Sequence, residues 1–129
     1  MSRNAVIQDM HSPASRVPSW LAAGGALSAA AAVALSAYAA HAVTGPAQSR
    51  LQTAAVFALL HGVALAALAR DAERMLARIA LTALLLGLLL FSASVAMNVL
   101  LQWPATLAPL GGMLLIAGWI ACAIDRLRH

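Results

Sequence analysis

The chain has 129 residues, 63% hydrophobic and 9% charged, with a formal net charge of +4. An ordinary soluble domain carries about 25% charged residues, so this composition excludes a water-facing surface of the usual kind, and the length allows one domain and not two. All eight basic residues are arginine and lie outside the apolar blocks, a placement that suits membrane topology and excludes a nucleic-acid partner.

Residues 1–18 are polar, contain Pro13 and Pro18, and read as a flexible cytoplasmic tail. Four apolar runs follow, over about 20–43, 51–69, 79–101 and 107–124, within a membrane domain spanning 19–124. At 1.5 Å per residue each run is roughly 27 to 36 Å long, which matches a hydrocarbon core of about 30 Å. Each is expected to be helical, because lipid offers no water to satisfy backbone groups. A β-barrel would need alternating polarity, which is absent here. Gly45-Pro46 is expected to end the first span and open a turn. Arg70-Asp71-Ala72-Glu73-Arg74 leaves the lipid after the second. Trp103-Pro104 ends the third, and residues 125–129 form a short cytoplasmic C-terminal tail. A cleavable signal peptide is the competing reading of the first run, but that run exceeds the usual 7–15 residue apolar region.

The arginines predict an orientation. Arg3, Arg16, Arg70, Arg74, Arg78, Arg126 and Arg128 share one side of a four-span chain, and only Arg50 lies on the other. Seven against one places both termini in the cytoplasm and the protein in the inner membrane. The expected fold is therefore an all-α, up-down-up-down transmembrane four-helix bundle, N-in and C-in.

Helices in lipid gain contact where small residues let them approach. Gly24, Ser28, Ala32, Ser36 and Ala40 recur every fourth residue in span one. Gly87 and Ser94 share a face of span three, and Gly111, Gly112 and Gly118 lie in span four. These are expected helix contacts within the bundle, with dimerisation through span one as the alternative. Arg70, Arg74 and Arg78 also recur every fourth residue. If that loop is helical they form a basic stripe suited to anionic headgroups; otherwise they only set topology.

Ionisable groups inside a bilayer are costly and mark functional sites by default. No Asp, Glu or Arg falls within a span core, which disfavours proton-driven antiport. His41, His61, Ser92, Ser94 and Asn98 remain, and the alternating spans bring them to the outer half as a candidate polar cluster. A neutral imidazole can hold two helices in register by hydrogen bonding, or it can contact a ligand. Two histidines alone do not make a haem site, and no acidic partner is present to build a hydrolase triad. Cys122, the single cysteine, reads as a small packing residue. No catalytic residue, metal site or cofactor is expected.

Four motifs in order resemble the domain of unknown function 423 family, the YgdD-like proteins. They are Ser36-Ala37-Tyr38-Ala39-Ala40-His41, Phe57-Ala58-Leu59-Leu60-His61, Phe91-Ser92-Ala93-Ser94, and Pro109-Leu110-Gly111-Gly112 followed by Gly118-Trp119. The resemblance covers roughly residues 19–124. It departs where family glycines are Ala or Ser here, and where family tyrosines are Phe57 and Ala96. The resemblance implies a four-span inner-membrane protein and supplies no reaction. The expected function is a non-enzymatic structural, assembly or accessory membrane factor. The alternative is a carrier or binder of a small or lipidic ligand through the polar cluster. The partners expected are the lipid bilayer and possible contacts with another membrane protein or a second copy.

Overall fold

A computed structural model describes residues 19–128, and the expected N-terminal tail and His129 lie outside the described residues. Four helices follow one another: α1 Trp20–Ala42, α2 Gly45–Leu68, α3 Met75–Leu101 and α4 Ala108–Leu127. They hold 23, 24, 27 and 20 residues. All four are long and apolar enough to cross a membrane. Their outward positions include Leu27, Val33, Leu60, Val63, Leu86, Met113 and Ile116. A helix that is apolar all round belongs in lipid or a deep core, and a chain this small cannot bury all four faces of its helices in itself.

The helix ends depart from the expected spans for local reasons. Ser19 caps α1, its hydroxyl accepting from the Ala22 amide at 3.2 Å. Only Val43 and Thr44 separate α1 from α2. Gly45 takes a positive φ of 68° at the start of α2 and Pro46 occupies the first turn. Proline suits that position because its missing N–H would have no intrahelical partner anyway. So Gly45-Pro46 opens the second helix, where a turn was expected, and Arg50 is helical.

A 3₁₀ turn, Ala69–Asp71, follows α2. The chain is extended at Arg74 before α3. The three arginines therefore do not share one helix, and the condition for a continuous basic stripe is not met. Arg78 instead lies in the first turn of α3, where its Nε donates to the Ala72 carbonyl at 3.1 Å and ties the turn to the helix. At the other end α3 stops at Gln102, which adopts the left-handed conformation with φ 57°. The Asn98 amide donates to the Trp103 carbonyl at 2.7 Å and holds the chain after that stop. Asp125, Arg126 and Leu127 continue α4, so the expected C-terminal tail is mostly helix.

Each helix packs chiefly on its sequence neighbour, α1 on α2, α2 on α3 and α3 on α4, with lighter contact between α1 and α3. Short connections make these neighbours antiparallel. Leu51, Leu65, Leu84 and Leu88 are the largest fully buried side chains.

Two seams bring backbones together. A Cβ on Gly25 would lie 2.6 Å from the Gly62 carbonyl oxygen, and one on Gly62 would lie 2.6 Å from the Gly25 carbonyl oxygen. A Cβ on Gly87 would lie 2.8 Å from the Gly111 carbonyl oxygen and 2.8 Å from the Leu115 amide. A Cβ on Gly118 would press on Leu84 at 2.8 Å. A Cβ on Gly24 would lie 3.2 Å from the flexible Leu85 side chain, and one on Gly112 would meet nothing within 4 Å. Gly87, Gly111 and Gly118 thus lie at close helix approaches, while Gly112 faces open space.

Candidate functional site

Of the five polar residues expected to cluster, Ser92, Asn98 and His61 each contact a different backbone carbonyl. Ser92 is buried, and its hydroxyl donates to the Ala54 carbonyl of α2 at 3.0 Å. This bond spans α2 and α3 and satisfies a hydroxyl that lipid could not. Asn98 is committed to the α3 stop described above. Ser94 is half-buried on α3, and His41 is exposed in the last turn of α1.

His61 has the most developed surroundings. Its Nδ1 lies 2.8 Å from the Phe57 carbonyl oxygen. A carbonyl can only accept, so Nδ1 is the donor in this contact. Phe57, one helical turn earlier, stacks on the imidazole with centroids 5.7 Å apart and planes 14° apart. Phe57 also meets Phe91 of α3 at 4.7 Å, and Trp119 of α4 lies 6.0 Å from His61. The imidazole is thus half-buried in an aromatic niche drawn from α2, α3 and α4. Its spacing from Phe57 was visible in the sequence; its meeting with Trp119 required the fold.

Gln52 was missed. Its side-chain oxygen accepts from the Ser36 hydroxyl at 2.9 Å, and its amide donates to the Ser36 carbonyl at 3.2 Å. The reciprocal pair ties α1 to α2 near the two-residue connection. A lone uncharged amide at the start of an apolar run was the available signal. Ser36, expected at a helix contact, makes that contact through this pair. Gln52→Leu should remove both bonds and lower stability by about 1 kcal/mol, the usual scale for interhelical polar contacts in membranes. Reversible unfolding in mixed micelles would measure it, and no change would mean that the pair contributes nothing net. Ser28 bonds only within its helix, to the Gly24 carbonyl at 2.8 Å.

An apolar groove of about 500 Å³ runs between α1 and α3. Leu27, Ala31 and Leu35 form one wall and Leu85 and Leu89 the other, with Ala58 of α2 also lining it. The two hydroxyls along it, Ser28 and Ser92, both donate to backbone carbonyls. The groove therefore offers apolar contact and no free donor. Among the described residues, no group of three or more His, Cys, Asp or Glu side chains could hold a metal ion.

No curated protein and no solved structure matches the chain. A family described as Protein of unknown function (DUF423) matches residues 35–112, from late α1 to the second turn of α4. The matched stretch holds His41, His61, Ser92, Ser94, Asn98 and the Gly87–Gly111 contact. The chain therefore belongs to the DUF423 family, as a multi-pass membrane protein of unknown function.

Proposed function

We propose that this protein is a non-enzymatic structural, assembly or accessory factor of the cytoplasmic membrane, with both termini inside. The observation that carries the reading is the use made of its polar groups. Ser36, Gln52, Ser92 and Asn98 are each spent on helix-to-helix or helix-end hydrogen bonds. A membrane enzyme needs polar groups held ready for substrate, and these are occupied. The inward orientation draws support from the alternating helices, which bring Arg70, Arg74 and Arg78 to the same end as Arg126 and Arg128.

A second reading, a carrier or binder of a lipidic ligand, draws on His61, whose imidazole sits in the aromatic niche of Phe57, Phe91 and Trp119. His61→Ala separates the two. In a scaffold it removes aromatic packing and costs about 1 kcal/mol of stability, leaving the response to added lipid unchanged. In a binder it abolishes stabilisation by ligand and leaves the melting temperature of the ligand-free protein close to wild type. Thermal unfolding with and without a total extract of native membrane lipid distinguishes these results. A combined His41→Ala and His61→Ala variant that altered neither quantity would remove both roles for the histidines.

A further inference from the structure

A small cavity of about 110 Å³ lies where the end of α2, the turn after it, the start of α3 and the end of α4 meet. Its charged lining consists of Asp71, Glu73, Arg74, Asp125 and Arg126. Four of these are exposed, whereas Asp125 is only 7% exposed. The Asp125 Oδ1 atom is fully buried and has no hydrogen-bond partner among the described residues. A buried carboxylate oxygen without a donor is costly, and native proteins satisfy such atoms. Here neither guanidinium of the lining satisfies it.

We propose that this cavity binds a primary ammonium group carried beside a phosphate, as in the headgroup of an ethanolamine phospholipid. Four observations converge on that chemistry. Asp125 lines the cavity with an oxygen left unpaired, so its side chain calls for an N–H or O–H donor, and a primary ammonium brings three N–H donors and a positive charge. Asp71 and Glu73 at the exposed rim extend the same attraction. Arg74 and Arg126, also exposed, supply guanidiniums for a neighbouring phosphate. The cavity is smaller than the roughly 150 Å³ that admits a benzene ring, so it takes a headgroup arm and not an acyl chain. Its position fits as well: the apolar run of α4 ends at Ile124, so Asp125 lies at headgroup level. A metal ion fits less well, since no group of three or more ligating side chains converges among the described residues.

The test compares two phospholipids of identical acyl chains, one with ethanolamine and one with choline, binding to the purified full chain in detergent by native mass spectrometry. Choline is trimethylated and has no N–H to give. The wild type should bind the ethanolamine lipid about tenfold more tightly, the scale of one hydrogen bond to a charged group. Asp125→Asn should bring the two lipids to parity. Arg74→Gln combined with Arg126→Gln should weaken both lipids without changing their ratio. Competition by free O-phosphoethanolamine would support the ammonium site and assign it to a soluble ligand; a preference that survives that competitor assigns it to lipid. Equal binding of the two lipids by the wild type would overturn the proposal. So would a preference that persists in the Asp125→Asn variant. Should that variant fail to fold, the wild-type lipid pair and the arginine double variant still decide.

Discussion

Gly62→Ala should destabilise the protein by about 3 kcal/mol, the upper end of what overpacking a tight interior costs, even though alanine is the better helix former. The helix-propensity gain for Gly to Ala is about 1 kcal/mol. Against it stands a new Cβ 2.6 Å from the Gly25 carbonyl oxygen and 2.8 Å from the Ala29 amide. Both obstacles are backbone, so no rotamer change relieves them, and α1 must move away from α2. That movement also stretches the Ser36–Gln52 pair. Equilibrium unfolding in mixed micelles would measure the loss. Ala67→Val, at an exposed position of the same helix, should change little and serves as the control. A Gly62→Ala protein as stable as wild type would mean that the α1–α2 seam is looser than described.

The second large effect is a contrast between adjacent glycines. Gly111→Ala should cost about 2 to 3 kcal/mol for the same reason. Its Cβ would meet the backbone of Phe91 and lie 2.8 Å from the Gly87 carbonyl oxygen. Gly112→Ala should be neutral or stabilising by up to about 1 kcal/mol, because nothing lies within 4 Å and alanine favours helix. Measuring both variants in the same micelles removes differences of detergent and background. Equal effects at the two positions would contradict a Gly111 packed on α3 beside a Gly112 in open space. Pairing Gly111→Ala with Gly87→Ala should be less than additive, since one seam is broken twice.

These two effects also show what was legible in the sequence. The existence of four spans followed from apolar length, because hydrocarbon leaves helix as the only option for an isolated segment. Helix ends were less legible. Hydropathy reports the thickness of lipid, whereas helix ends follow backbone caps and φ, ψ preferences. Hence α2 starts at Gly45 ahead of Leu51, α3 starts at Met75 ahead of Ile79, and α4 runs on through Asp125.

The seams were half legible. In α1, alanine is so frequent that spacing alone does not fix which face turns inward. The stripe through Gly24 and Ser28 was visible, yet the closest approach falls on its neighbour Gly25. In α4 the glycines are sparse, and Gly111 and Gly118 both lie where a neighbouring helix comes close. For the polar residues, depth in the membrane was readable from span order. Their partners were not, because a serine at a given depth can face any of several helices. Ser92 turns to Ala54 and Asn98 to Trp103, so shared depth did not become shared contact. In the sequence Asp125 only opens the expected C-terminal tail; its burial against the turn after α2 is a product of tertiary packing.

Thiol accessibility tests the central claim, four spans with both termini inside, most directly. In a Cys122→Ala background, single cysteines are placed at Glu73, Thr106 and Arg128, all exposed positions. Intact cells are then treated with a membrane-impermeant maleimide, before and after permeabilisation. Thr106→Cys should react in intact cells. Glu73→Cys and Arg128→Cys should react only after permeabilisation. Reaction of Glu73→Cys or Arg128→Cys in intact cells, or protection of Thr106→Cys there, would contradict the account.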